Sequence, residues 1–148
     1  MIKVQREKRA YQTLRKNMPM PYDRMNRVEN IVIKGMPDIN FCSEGVECWI
    51  EMKAIIEPVR ETTRAFTGHS HNLTLAQRNW MLSQKNAKGN CYILIETDKR
   101  WLLIDGLYAD EINTATINRL IELSAWYREK PVYKEHWLAL RAVLQGAA

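Results

Sequence analysis

The sequence predicts an α/β fold, with a mixed central β-sheet flanked by helices and a helical C-terminal extension. Helix-like and strand-like segments alternate along the chain, which is the pattern of a layered α/β domain. A hairpin-like segment around the tripeptide SEG and the apolar runs CYILIE and WLLID supply strands, and the last third has helical periodicity. The 148 residues fit a single domain over 1–148. No run approaches the ~18 apolar residues of a membrane-spanning helix.

The N-terminal third begins with a short basic helix. Residues 5–17 form this helix, and Pro19 prevents its continuation. The apolar residues of 28–33 indicate a strand. SEG is a turn signal between two segments of alternating polarity, so residues 38–42 and 46–54 are predicted to pair as a β-hairpin.

The middle of the chain combines a loop and an amphipathic helix. A polar loop covers about 57–72. The helix runs over 75–88, because Thr74 is a favourable N-cap and Gly89 a favourable stop.

A second strand pair and two helices complete the chain. Residues 91–96 and 101–105 are the paired strands. The C-terminal extension, about 113–145, is predicted as two helices, TATINRLIELSAWY and KEHWLALRAVLQG, separated by Pro131. This extension is rich in aromatic residues, which would pack on the domain or form a subunit interface.

The net charge of +5 is concentrated at the N-terminus. The first 30 residues contain eight basic and three acidic side chains, so the rest of the chain is neutral. A basic segment attracts phosphate backbones regardless of base sequence, although a solvated helix face kept basic for solubility is the alternative. The candidate DNA-binding side chains are those of this helix and of the polar loop: Lys8, Arg9, Arg15, Lys16, Arg60 and Arg64.

Three charged residues interrupt strands that otherwise suit a buried sheet. Since side chains alternate faces along a strand, Glu51 and Lys53 share the face opposite the apolar set of VECWIEMKA. Asp38 begins the partner strand of the hairpin and lies close enough to join them.

Two converging carboxylates repel each other unless a cation holds them together. Mg²⁺ prefers oxygen ligands and is commonly bound by one or two carboxylates with water and substrate phosphate. A neighbouring lysine can hold a water and stabilise charge on a phosphate. The alternative for an isolated Glu-x-Lys is a surface ion pair.

The run from 35 to 38, GMPD, followed by 51–53, EMK, resembles the active-site signature of the PD-(D/E)XK nuclease superfamily. The wider run RVENIVIKGMPDINFCSEGVECWIEMK, with LTLAQRNWM and GNCYILIE, resembles the small phage members near the VRR-NUC and Holliday-junction-resolvase-like groups. The resemblance covers about 27–105. It implies a restriction-endonuclease-like core, Mg²⁺ or Mn²⁺ as cofactor, and cleavage of DNA phosphodiesters.

The resemblance also implies roles for individual residues. Asp38 and Glu51 would be metal ligands, with the Met52 carbonyl adding a third oxygen, and Lys53 would orient the attacking water. Such nucleases often carry a further acid before the Asp motif. Glu29 is the candidate, and a surface acid facing Arg27 is the alternative.

Gln77 has two competing interpretations. The resemblance implies a helix glutamine aimed at the metal site, whereas Thr74-x-x-Gln77 is also a capping-box pattern. We expect that one amide cannot fill both roles, and we favour the active-site role.

The sequence therefore predicts a Mg²⁺-dependent DNA endonuclease of phage type, possessing junction or flap selectivity and forming a homodimer for symmetric cutting. The alternative is a catalytically inactive nuclease fold that binds DNA or protein, such as a phage factor inhibiting a host protein. Three cysteines without metal-ligand spacing favour free thiols in a reducing cytoplasm, the expected location.

Overall fold

The computed structural model describes residues 3–28, 32–67 and 71–146. Within these ranges the chain forms four α-helices, one short 3₁₀ turn and a six-stranded sheet. In chain order the elements are α1 Lys3–Lys16, β1 Arg24–Arg27, β2 Ile39–Ser43, β3 Val46–Ala54, α2 Leu75–Asn86, β4 Cys91–Glu96, β5 Arg100–Asp105, the 3₁₀ turn Gly106–Tyr108, α3 Ile117–Leu123, β6 Ser124–Glu129 and α4 Lys134–Leu144.

The sheet is mixed, and its strands lie in sequence order from β1 to β6. β3 and β4 are parallel, whereas every other neighbouring pair is antiparallel. A parallel pair needs a long crossover, and the loop after β3 together with α2 provides it. The predicted mixed sheet flanked by helices, with a helix at the C-terminus, is confirmed.

Helices cover both faces of the sheet because the strands are apolar on both. Cys48, Ile50, Met52 and Ala54 of β3 lie in one core cluster, to which α1 contributes Ala10 and Leu14 and α4 contributes Trp137, Leu140 and Leu144. A second cluster, between the opposite face and helices α2 and α3, includes Met81, Ile93, Ile95 and Leu120. Glu51 and Lys53 therefore point towards the α2 side, away from α1.

The predicted hairpin is confirmed. Glu44 and Gly45 both have positive φ, 52° and 78°, which is the signature of a two-residue type I′ turn that matches the twist of the flanking strands. The turn fixes the register, which pairs Ile39 with Ile50 and Phe41 with Cys48.

Where the structure describes the strand predicted over 28–33, it is not observed: residues 28, 32 and 33 are not in a strand, and residues 29–31 lie outside the described residues. The first strand is β1, Arg24–Arg27, in which Met25 pairs with Phe41 and points into the core. Residues 32–35 form a bend and turn, and Val32 is 86% exposed.

The prediction of a continuous helix over TATINRLIELSAWY is also wrong. The helix ends at Leu123, and Ser124–Glu129 form strand β6 against β5. In β6 the Trp126 side chain packs against Trp137 of α4. This tertiary contact and the β5 backbone outweigh the local helical pattern.

In the part of the chain that the structure describes, no helix is long and apolar enough to cross a membrane. The three cysteines, Cys42, Cys48 and Cys91, are free thiols.

Candidate active site

Asp38, Glu51 and Lys53 come together at the start of β2 and the middle of β3. Asp38 directly precedes β2, and the pairing of Ile39 with Ile50 places Asp38 opposite Glu51. The Asp38 Oδ1 atom accepts a hydrogen bond from the Met52 backbone N–H at 3.1 Å. Lys53 Nζ lies 3.9 Å from Glu51 Oε1. The predicted convergence of the three charged side chains is thus present.

The cluster is largely removed from solvent. Glu51 is 6% exposed and Lys53 3%. Burial and then the charge of Asp38 raise the pKa of Glu51 to about 8, against the opposing charge of Lys53. Burial also raises the pKa of Asp38, and the Met52 hydrogen bond and the charge of Arg27 only partly offset it. The charges of Lys53 and Arg27 are therefore insufficient to compensate the buried Glu51 and the half-buried Asp38 carboxylates.

The Met52 carbonyl lies on the same edge of β3 as Asp38. Trp49 N–H donates to the Asn90 carbonyl and Ile55 N–H to the Glu96 carbonyl, so the odd-numbered residues of β3 direct their backbone groups to β4. Alternation then directs both backbone groups of Met52 towards β2, where its N–H meets Asp38. Its carbonyl oxygen is positioned to face the space beside that carboxylate.

This donor set fits a small hard cation. The carboxylates of buried Glu51 and half-buried Asp38, together with the Met52 carbonyl, are all oxygen ligands, which Mg²⁺ and Mn²⁺ accept. Among the described residues there is no cluster of three or more His, Cys, Asp or Glu side chains that could hold a metal ion. Mg²⁺ is commonly bound by only one or two carboxylates, with water and phosphate oxygens completing its coordination.

Gln77 makes the capping bond and a bond to Glu51 at the same time, so the expectation that one amide cannot do both is wrong. Its Oε1 accepts a hydrogen bond from the Thr74 backbone N–H at 2.9 Å, which completes the capping box of α2. Its Nε2 donates to Glu51 Oε1 at 2.9 Å. The two roles are compatible because an amide has an acceptor at one end and a donor at the other.

Gly35 sets the distance between the GMPD turn and helix α2. Its φ is +83°, and a Cβ atom at this position would lie 2.1 Å from the Ala76 carbonyl oxygen and 2.7 Å from the Gln77 nitrogen. Only glycine satisfies both the left-handed backbone and this close approach. The turn before Asp38 therefore contacts the backbone from which Gln77 projects.

Two residues near the site were not predicted to act there. The charge of Glu7, on α1, contributes to the raised pKa of Glu51. The Arg27 guanidinium acts on Asp38 and lies 5.5 Å from the centre of the Tyr11 ring. Neither belongs to a recognisable motif, because only the packing of α1 and β1 against the hairpin brings them near.

The other candidate residues are dispersed. Glu29 lies outside the described residues. Lys8, Arg9, Arg15 and Lys16 are exposed on α1, where Arg15 Nη1 donates to the Met25 carbonyl at 2.8 Å. Arg60 and Arg64 are exposed on the loop after β3, and Arg64 forms an isolated β-bridge with Thr116.

Comparisons with known proteins give distant structural likeness only. No protein-family model matches the sequence, and no curated protein matches it. Among solved structures, the chain is similar to the 1.6 Å structure of Archaeoglobus fulgidus Hjc, a Holliday junction resolvase from an archaeal hyperthermophile. The TM-score is 0.44 and the identity 12%, over 70% of this chain and 76% of that chain. This likeness is too distant to assign the chain to a family.

Proposed function

We propose that the protein is a Mg²⁺-dependent DNA endonuclease that hydrolyses phosphodiester bonds. The observation that carries the proposal is the cluster of half-buried Asp38 with buried Glu51 and Lys53, in which two carboxylates meet with one lysine. A structural role does not account for it, because the pKa values of both carboxyl groups stay raised despite the charges of Lys53 and Arg27, so their ionised forms cost free energy. Binding a divalent cation and a phosphate offsets that cost.

Each residue has a distinct role in this proposal. Asp38 and Glu51 hold the cation, with the Met52 carbonyl as a further ligand. When bound, the cation supplies electrostatic stabilisation for the charge that develops on the phosphate. Lys53 holds the attacking water and stabilises negative charge on the phosphate oxygens. Gln77 fixes the orientation of Glu51 through its hydrogen bond.

The test is a cleavage panel of supercoiled plasmid, linear duplex, single strand, flap and four-way junction, each with Mn²⁺ and with Mg²⁺. We expect cleavage of at least one substrate by the natural sequence, and none by Lys53→Met, which keeps the side-chain length and removes the charge. Lys88→Gln is the control for loss of a positive charge. Lys88 is exposed and precedes β4, whereas Lys53 lies beside the other end of that strand, so this variant should cleave normally. Full activity of Lys53→Met on every substrate would contradict the mechanism.

Metal binding is tested separately by thermal melting. A ligand that binds only the folded state raises the melting temperature, so millimolar Mn²⁺ should stabilise the natural sequence but not Asp38→Asn. If neither stabilisation nor cleavage occurs, a DNA- or protein-binding module is the better description. Symmetric cutting of two strands would need two copies of the chain, which light scattering on the DNA complex would detect.

A further inference from the structure

A pocket of about 400 Å³ lies between the N-terminal half of α1 and the segments that leave β3 and β4. We call it the α1–β4 pocket. Arg6, Arg9 and Thr13 form its helical wall, and residues 54–56, 96–98 and Lys130 form the remainder. None of these residues has a role in the catalytic cluster.

The α1–β4 pocket adjoins the catalytic cluster from two directions. Its strand wall begins at Ala54, the residue that follows Lys53. Its helical wall includes Arg6 and Arg9, which flank Glu7, the residue whose charge acts on Glu51. The pocket therefore lies beside the cluster at the C-terminal end of β3, with Ala54 on the α1 face of the sheet and Lys53 on the α2 face.

Most charged groups in the pocket are already paired within the protein. Lys130 Nζ lies 3.2 Å from Glu96 Oε2, and Asp98 Oδ1 accepts a hydrogen bond from the Glu57 N–H at 2.8 Å. The side chain of Arg6 is not paired in this way. It is half-buried and, among the described residues, makes no hydrogen bond, ion pair or ring contact. A partly buried cation of this kind attracts an anionic group, and phosphate suits a guanidinium.

The walls of the α1–β4 pocket also contain hydrogen-bond acceptors, which restrict the class of ligand that can bind there. A duplex backbone presents only phosphates, which offer no hydrogen-bond donor to the carboxylate oxygens of Glu96 and Asp98. A nucleotide outside the helix presents one phosphate together with a base edge that has both donors and acceptors. Its size is also compatible, because small-ligand pockets begin at about 300 Å³.

We propose that the α1–β4 pocket binds one unpaired nucleotide of the DNA substrate, with its phosphate at Arg6 and its base towards residues 97–98. This inference rests on the proposed nuclease function and specifies its substrate class: DNA with a single-stranded segment beside the bond that is cleaved.

The test compares binding of two fluorescent DNAs in the presence of EDTA, so that no cleavage occurs. One is a blunt duplex, and the other is the same duplex with a short single-stranded tail. We expect the natural sequence to bind the tailed DNA about tenfold more tightly, since one hydrogen bond to a charged group is worth about this much. Arg6→Gln should lose most of that preference while its affinity for the blunt duplex changes by less than about twofold.

Two further variants separate the pocket from general electrostatics. Thr13→Trp fills the pocket from an exposed helical position without changing charge, and it should lose the same preference. Lys88→Gln removes one positive charge at the opposite end of β4 and should keep it. An equal loss of affinity for both DNAs in Arg6→Gln would show that the arginine is a general phosphate contact, which would overturn the inference.

The two proposals fail in distinguishable ways. Cleavage by the natural sequence without any preference for the tail would overturn the pocket inference alone. A tail preference that depends on Arg6, without cleavage under any metal, would overturn the nuclease proposal and leave the pocket. Absence of DNA binding would overturn both.

Discussion

At the scale of single residues, Gln77 joins the stability of a helix to the geometry of the carboxylate cluster. Its amide oxygen completes the capping box of α2 and its amide nitrogen orients Glu51. Thr74 takes part in the cap only, because its hydroxyl accepts from the Gln77 N–H. This pair of residues allows the two roles to be separated by mutation.

Gln77→Ala should lose about 1 kcal/mol of stability through the cap and about tenfold in Mn²⁺ affinity through Glu51. Thr74→Ala should lose a similar amount of stability while its Mn²⁺ affinity remains within about twofold of the natural sequence. Urea unfolding and titration calorimetry measure the two quantities. Equal metal affinity in both variants would show that the Gln77–Glu51 hydrogen bond does not position a ligand.

A bidentate ion pair between Arg141 and Asp23 attaches α4 to the N-terminal part of the chain. Arg141 Nε and Nη2 contact the two oxygens of Asp23, each at 2.7 Å, and Ser43 Oγ donates to Asp23 at 2.6 Å. Burial by itself would raise the pKa of Asp23, but the bonds from Arg141 and Ser43 outweigh burial and lower it.

This lowered pKa predicts a pH dependence of stability. A carboxyl group with a lower pKa in the folded state binds fewer protons there than in the unfolded chain. Its contribution is therefore complete above its unfolded pKa of about 3.9 and is lost as the pH falls through the folded pKa. Asp23→Asn should be less stable than the natural sequence at pH 7, and the difference should shrink below about pH 4. Urea unfolding at several pH values checks this, and a constant difference would contradict it.

The carboxylate cluster was predictable from the sequence, but its surroundings were not. The period of two in β3 places Glu51 and Lys53 on one face, and a local turn determines the register that brings Asp38 opposite. Glu7 and Arg27 approach only through the packing of α1 and β1. No spacing in the sequence reports such packing.

At the scale of secondary-structure elements, the contact between the GMPD turn and α2 depends on Gly35, because it has no side chain. Gly35→Ala should destabilise the protein by at least about 2 kcal/mol, because it adds a backbone clash to the strain of a positive φ. Gly45→Ala is the matched control. Gly45 also has positive φ, but nothing lies within 4 Å of its added Cβ atom, so only about 1 kcal/mol is expected.

Chemical unfolding measures both losses, and Mn²⁺ affinity provides a second readout. Gly35→Ala should weaken metal binding because it displaces the first turn of α2 and hence Gln77. Gly45→Ala should not. Equal losses of stability in the two variants would show that the close approach to Ala76 has no energetic role.

Elements determined by neighbouring residues in the sequence were predictable, whereas strands that depend on pairing with a distant segment were not. The type I′ turn and the Thr74 cap are encoded within four residues each, and both are present. β1 and β6 are the edge strands of the sheet. Each depends on a neighbouring strand that is distant in sequence, which is β2 for β1 and β5 for β6. Helical periodicity in LSAWYRE was therefore misleading, since β5 and α4 decide its conformation.

At the scale of the whole molecule, three tryptophans attach the C-terminal helix to the sheet. Trp137 contacts Trp101 edge to face at 5.0 Å between ring centres and also lies 5.8 Å from Trp126. Trp137 is 3% exposed, whereas its neighbour Leu138 is 47% exposed. This aromatic cluster accounts for the unusual composition of the extension as core packing.

Trp137→Ala should cost about 3–5 kcal/mol, the range for removing a large aromatic side chain from a core. Leu138→Ala, on the exposed side of α4, should cost less than about 1 kcal/mol. Urea unfolding followed by far-ultraviolet circular dichroism measures both. Similar losses would indicate that α4 is held by its exposed face, contrary to the observed packing.

The central position of β3 also has a consequence for protection against amide hydrogen exchange. β3 is bonded on one side to β2 and on the other to β4, so its amides become accessible only when the sheet separates. Helix α2 borders the cluster and can fray without separating strands. Deuterium should therefore enter the backbone of α2 well before that of residues 50–53. Glu51 would then stay fixed in the paired sheet while Gln77, on α2, separates from it.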